Sequence, residues 1–240
     1  MSTLFVIGTP IGNLEDITLR ALRVLKEVDV ILCEDTRITK RLLSRFEING
    51  KQLTTYNEER SGVGIGKIIK WLEEGKNLAL VTDAGTPGIS DPGARLVSLL
   101  REIFKVGPSG SSRSDLGGRE LKIEAIPGPS ALTAALSVSG LPSDNFLFLG
   151  FLPHKKGRET LFKEIAASKR IVVFYESPHR IIKTLESLAK YIPERETVVA
   201  RELTKIHEEV FSGTPNETLE YFLKNPVKQK GEFVVIISAK

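Results

Sequence analysis

Short apolar runs alternate with amphipathic stretches from the first residues onward. TLFVIG (3–8), VDVILCE (28–34), QLTTY (52–56) and NLALVT (77–82) are rich in aliphatic and β-branched side chains and read as strands. Between them, TLRALRVLKEV (18–28) repeats Leu19, Leu22 and Leu25, with Ala21 and Val28 widening the stripe, which is the helical period. RITKRLLSRF (37–46) and GIGKIIKWLEEG (64–75) follow that period, the second closing on Gly75 as a C-cap. PGARLVSLLREIF (92–104) puts Pro92 near a first helical turn, where its missing N–H costs nothing. LKIEAI (121–126) and SALTAALSVSG (130–140) continue the series. Such alternation predicts parallel strands joined by helical crossovers.

KVGPSGSSRSDLGGR (105–119) interrupts the rhythm and reads as a surface loop. LPSDN (141–145) is polar and proline-bearing, so a boundary is expected there between domains 1–141 and 142–240. The second half continues with strands FLFLGFL (146–152), RIVVFYE (170–176), ETVVARELT (196–204), EEVFSGT (208–214) and EFVVIISA (232–239). Helices are expected over 157–168, 178–191 and 216–225. Two consecutive strands near 196–214 predict a mixed sheet, so the fold class is α/β with two domains.

Composition narrows the classes. With 240 residues, 41% hydrophobic and 27% charged, the chain can bury a core in either domain. No apolar run approaches the roughly 18 residues that span a bilayer, so no membrane association is expected. MSTLFVIGTPIGNLED lacks a basic leader before an apolar region, so no signal peptide is expected. Cys33 is the single cysteine, which excludes an internal disulfide and fits a cytoplasmic protein. His154, His179 and His207 lie far apart, so no metal site is expected. The net charge of +4 is compatible with a polyanionic partner.

The chemistry collects after the strands. In an open parallel sheet, ligands sit beyond the carboxyl ends of the strands. There the N-terminal half places GTPIGN (8–13), EDTR (34–37), YNEER (56–60), DAGTPGISDPG (83–93) and PGPSA (127–131). GTPIGN is neither GxGxxG nor a P-loop; Gly8 and Gly12 permit close backbone approach to a ligand, or a plain turn. In DAGTPGISDPG, Gly85, Gly88 and Gly93 remove side chains while Pro87 and Pro92 stiffen the path, predicting a bare, preorganised backbone surface. Asp83 is placed to accept ligand hydroxyls or ammonium groups, whereas Asp91 suits the cap of the following helix. Ser130 suits an N-cap, and the same helix end suits a ligand carboxylate. Glu34, Asp35, Arg37 and Lys40 form either a surface ion cluster or a group that orients a substrate hydroxyl. YESPHR (175–180) and RELTKIHEE (201–209) carry comparable charge in the second half.

Taken in order, GTPIGNL, CEDTR, DAGTPGISDPG, PGPSA with ALSVSGLP, FLGFLP, YESPHR and RELTK resemble the bacterial small-subunit ribosomal RNA cytidine 2′-O-methyltransferases. These belong to the tetrapyrrole-methylase-like superfamily, and the resemblance runs from Leu4 to about Val235. It implies two α/β domains with S-adenosyl-L-methionine in a cleft between them, usually in a homodimer. It also implies methyl transfer to a cytidine of 16S rRNA at the decoding centre of the small ribosomal subunit. Carried onto this chain, cofactor contacts fall on Pro10, Asp83, Gly85, Pro87, Ile89, Ser90, Ser130 and Ala131. The chain departs from the family pattern at 105–119, where a short turn is usual. With that activity, Glu34 or Asp35 is expected to take the hydroxyl proton, with Arg37 and Lys40 holding nearby phosphates and Glu176 as rival base. Lys155, Lys156, His179, Arg180 and Arg201 are expected to contact RNA. Two other readings stand beside this one: methylation of a tetrapyrrole or similar small molecule, and a non-catalytic RNA-binding assembly factor.

Overall fold

A computed structural model describes residues 1–56, 61–105 and 120–240. Of the expected loops, residues 57–60 of YNEER and 106–119 of the long insert lie outside the described residues. The chain divides into two compact units, Met1–Ser130 and Ala131–Lys240.

In the first unit, β1 (Ser2–Ile7), β2 (Val30–Cys33), β3 (Gln52–Thr55), β4 (Leu78–Leu80) and β5 (Leu121–Ile126) form one sheet in the order β3-β2-β4-β1-β5. Every pairing is parallel. Helices α1 (Leu19–Glu27), α2 (Thr36–Arg45), α3 (Ser61–Glu73) and α4 (Ala94–Ile103) cover it. Successive strand residues point to opposite faces, so β1, β2 and β4 each feed two cores. Ile31, Cys33, Ala79 and Ile7 pack with Ala21, Val24 and Leu25 of α1 and Leu42 and Leu43 of α2. Leu32, Leu78, Leu80 and Leu4 pack with Ile68 and Leu72 of α3 and Leu96 and Leu100 of α4. Burial on both faces explains why the central strands β2 and β4 read as unbroken apolar runs rather than alternating ones.

Helix ends follow local chemistry. Thr18 caps α1 by accepting from the Ala21 amide at 3.1 Å. The chain leaves α3 through Gly75 at φ 88°, with Gly75 and Lys76 amides donating to Leu72 and Trp71 carbonyls. At α4 the expectation needs correction. The N-cap position is Gly93, not Asp91, and Pro92 lies before the helix. Gly93 has φ 136°, and a Cβ there would stand 3.0 Å from Leu80 Cδ2, so glycine is required at that entry.

In the second unit, β6 (Phe146–Phe151), β7 (Ile171–Glu176), β8 (Thr197–Arg201), β9 (Glu209–Gly213) and β10 (Phe233–Ile237) lie in the order β6-β7-β10-β8-β9. The β6–β7 pair is parallel and the other three are antiparallel, which makes the sheet mixed. Helices α5 (Ala131–Val138), α6 (Arg158–Ala167), α7 (Ile181–Tyr191) and α8 (Pro215–Lys224) belong to this unit. Thr214 and Glu217 form a reciprocal capping box at the start of α8. Phe162, Leu185, Leu188 and Phe222 close the core over Val172, Phe174, Val199 and Val235. The division falls at Ser130 rather than in LPSDN because α5 packs on the central strand β10 of this unit. Helix α7 opens at Ile181, later than 178, because Ser177–Arg180 first make a turn closed by the Arg180 amide on the Ser177 carbonyl. Among the described residues no helix is long and apolar enough to cross a membrane.

The loops after β1 and β5 meet backbone to backbone. A Cβ on Gly8 would lie 2.8 Å from Gly128 Cα, and one on Gly128 would lie 2.6 Å from the Gly8 carbonyl oxygen. The close approach that Gly8 permits here is to the chain's own backbone. Neither neighbour is a movable side chain, so Gly8→Ala or Gly128→Ala should destabilise the first unit by about 1–3 kcal/mol or more. Denaturant unfolding monitored by Trp71 fluorescence checks this, and a loss below measurement error would contradict it.

Candidate functional site

Strands β1 and β4 are neighbours, yet the chain leaves them in opposite lateral directions, toward β2 and β5 respectively. Helix α1 follows β1 on one face of the sheet, and α4 follows β4 on the other. Loops that part in this way open a crevice at the carboxyl edge. The loops are stitched together across it. Thr9 and Gly85 exchange backbone hydrogen bonds, Thr9 N–H to Gly85 at 2.8 Å and the reverse at 3.1 Å. The buried Thr9 hydroxyl donates to the Thr82 carbonyl at 3.1 Å. Thr86 Oγ1 donates to the Pro129 carbonyl at 3.2 Å, joining the loops after β4 and β5. Asp83 Oδ1 accepts from the Asp35 amide at 3.0 Å, joining the loops after β4 and β2. Four of the five loops singled out in the sequence thus occupy one rim.

The 83–93 loop is not uniformly bare. Gly85 is buried with both backbone groups committed to Thr9, and Pro87 and Pro10 are also buried. These residues shape the loop. Ala84, Ile89 and Ser90 form its exposed crest, with Asp83, Ser130 and Ala131 half-buried. Ser90 holds φ 61°, an uncommon conformation for a residue with a side chain. Such strain persists only where the surroundings impose it.

Three carboxylates line the β2 and β4 ends, and the structure separates their roles. Asp35 caps α2, accepting from the Arg37 amide at 2.8 Å, and also pairs with the Arg37 guanidinium at 2.5 Å. Those hydrogen bonds hold its carboxyl down at about 2, so it stays ionised and poorly basic. Glu34 is pushed the other way, first by partial burial and then by the negative charge of Asp83. Asp83 is itself raised by burial. Arg37, with its side chain 87% exposed, and Lys40 face solvent on the first turns of α2.

In the second unit, Lys155, Lys156 and His179 are exposed, as a contact to a large partner requires. Arg180 and Arg201 are turned inward. Arg201 is 8% exposed and donates to the Lys230 and His207 carbonyls at 2.6 and 3.0 Å, which braces the end of β8. Arg180 pairs with Glu176 at 2.8 Å and donates to the Leu152 carbonyl at 2.7 Å. Glu176 is 1% exposed, so the rival base has no open side from which to reach a substrate. Tyr175 went unremarked in the sequence as a separate residue. Its hydroxyl accepts the Leu132 amide at 3.2 Å, so that first-turn donor of α5 is not open to a ligand carboxylate. Thr9 and Arg158 were also missed, because neither residue type nor spacing marks a bridge that exists only in the folded chain.

A model of the family described as Tetrapyrrole (Corrin/Porphyrin) Methylases matches residues 3–218. The chain belongs to this family. Within the family, it is 45% identical over 240 residues to Ribosomal RNA small subunit methyltransferase I of Thermotoga maritima, covering 100% of both chains. A second relative of that name, from Hydrogenobaculum, is 42% identical across 98% of this chain and 95% of its own. The fold is shared with solved tetrapyrrole methylases. The methyltransferase CobJ aligns with TM-score 0.66 at 19% identity, covering 100% of this chain and 95% of that one. A uroporphyrin-III-C-methyltransferase from Thermus thermophilus aligns with TM-score 0.61 at 19% identity, covering 98% and 94%.

For this tetrapyrrole-methylase family member, the raised Glu34 has a measurable signature. A carboxyl that binds its proton more tightly when folded loses stability as pH rises from its unfolded value through its folded one, and the penalty is complete above both. Glu34→Gln should therefore raise the melting temperature at neutral pH, with the gain vanishing below about pH 4, where the carboxyl is protonated in either state. Calorimetric scans across that range test it; an equal gain at every pH would point to packing instead.

Proposed function

We propose that the protein is an S-adenosyl-L-methionine-dependent methyltransferase acting on the ribose 2′-hydroxyl of a cytidine in 16S rRNA, at the decoding centre of the small ribosomal subunit. The observation that carries this reading is the 45% identity along the whole length of a ribosomal RNA small subunit methyltransferase. The rim at the β1–β4 crevice supports it. The exposed crest Ala84, Ile89, Ser90, with carboxylates Asp83 and Glu34 at its foot, suits a cationic ligand that carries hydroxyls. Asp83, Ile89, Ser90, Ser130 and Ala131 would hold the cofactor, while Pro10, Gly85 and Pro87 set the shape that they share. When bound, the cofactor supplies an electrophilic methyl group on a sulfonium.

The chain's own task is then to place a hydroxyl and receive its proton. Of the two adjacent acids, Glu34 is the one for which accepting a proton is favoured, since Asp35 is committed to Arg37 and the α2 cap. Arg37 and Lys40, exposed beside it, are suited to steady flanking phosphates.

Methyl-labelled cofactor incubated with unmodified small ribosomal subunits should yield 2′-O-methylcytidine after nuclease digestion, and no label in a porphyrinoid offered alongside. Label found only in the porphyrinoid would sink the ribosomal reading and favour a small-molecule methylase. Glu34→Gln should lower kcat on subunits by about 10²–10⁴-fold, the range of a general base. Asp35→Asn should cost far less, and equal losses in both variants would remove Glu34 from that role.

A further inference from the structure

The second unit buries a charged cluster that the reaction does not use. Glu176, at the end of β7, has a side chain with no exposure, and it faces two guanidinium groups. Arg180 Nε lies 2.8 Å from its Oε1 and Arg158 Nη2 lies 3.8 Å from its Oε2. The carboxylate also accepts from the Ser177 amide at 2.8 Å and from the Thr184 hydroxyl at 2.6 Å. Thr184 Oγ1 in turn accepts from Arg158 at 2.6 Å. Replacing such a buried ion cluster with apolar side chains is often neutral or stabilising, so net stability is a weak reason for one. What this cluster does is fix irregular backbone. Arg180 donates to the Leu152 carbonyl at 2.7 Å and Arg158 to the Pro153 carbonyl at 3.1 Å.

Both carbonyls belong to the loop between β6 and α6. Because β6 and β7 run parallel, that loop and the turn after β7 leave the same edge of the sheet. The first carries exposed His154, Lys155 and Lys156, and the second carries exposed His179 with Lys183 one helical turn on. Neither stretch holds an acid between Pro153 and Arg158 or between Ser177 and Leu185. Exposed lysines on two loops at one sheet edge, held by one buried carboxylate, complement a phosphodiester backbone in charge.

We propose that Glu176 is a positioning residue for substrate RNA, acting through Arg158 and Arg180 to hold Lys155, Lys156 and His179 in one phosphate-facing arrangement. This rests on the ribosomal reading above. The test uses Glu176→Gln, the Lys155→Ala/Lys156→Ala double variant and their combination, assayed with small ribosomal subunits and labelled cofactor. Glu176→Gln should raise KM for subunits about tenfold with kcat nearly unchanged, a loss of binding shared by ground and transition states. The slope of log affinity against log salt should become shallower by about 1–2, as phosphate contacts are lost. Cofactor affinity by calorimetry should stay within about twofold, since the cluster lies outside the cofactor loops. The lysine substitutions should weaken binding strongly in the native background and little in Glu176→Gln, because the lysines are then already misplaced. Native KM and salt slope in Glu176→Gln, or lysine effects of equal size in both backgrounds, would overturn the proposal. If Glu176→Gln does not fold, Thr184→Val decides, since it removes the shared hydroxyl and keeps every charge. A KM rise of about threefold supports the proposal and an unchanged KM overturns it. Native enzyme that methylates no subunit at all would overturn the ribosomal reading, whereas methylation lost only through the lysines leaves that reading intact and removes Glu176 alone.

Discussion

Contact between bare backbones beyond the sheet is the constraint on which the first unit's rim depends. Gly8 and Gly128 approach so closely that neither can carry a Cβ. One residue later, Thr9 exchanges two hydrogen bonds with Gly85. These contacts bring the ends of β1, β4 and β5 to a common height, and the Asp83–Asp35 hydrogen bond adds the end of β2. A loop crest can then be irregular, and locally strained at Ser90, without being loose. Preorganisation of that kind lowers the ordering cost of holding a small molecule.

Electrostatics then sorts residues that look alike in the sequence. Glu34 and Asp35 are neighbours of the same charge, but one begins a helix and the other ends a strand. Capping α2 and pairing with Arg37 commits the Asp35 oxygens and drives its proton affinity down. Partial burial beside Asp83 drives that of Glu34 up. The same logic separates the cations of the second unit. Lys155, Lys156 and His179 remain at the surface, whereas Arg158, Arg180 and Arg201 spend their donors on carbonyls and on Glu176. The flat fork of a guanidinium, with several donors in fixed directions, suits that internal bracing better than an ammonium does.

Kinship and geometry contribute different things to the functional reading. The family assignment rests on a match over residues 3–218. Solved tetrapyrrole methylases at 19% identity share the fold, which hosts more than one substrate. What distinguishes substrates must therefore lie in particular side chains; on the proposed reading, those that meet RNA include Lys155 and Lys156, exposed on the loop after β6.

Periodicity alone determined most of the architecture. Among the described residues, the strands β1–β10 and the α-helices α1–α8 lie where apolar spacing placed them, within a few residues, because strand and helix periods are local properties of the chain. The glycine- and proline-rich loops were equally legible, since those residues have few conformational uses. Tertiary structure decided what no local pattern encodes. It showed that Gly8 serves Gly128, that Gly85 is tied to Thr9, and that α5 belongs with the second unit. It also turned Arg180, Arg201 and Glu176 inward. Most of those outcomes depend on partners distant in the chain, and burial or hydrogen bonding at such range is set only when the sheets assemble.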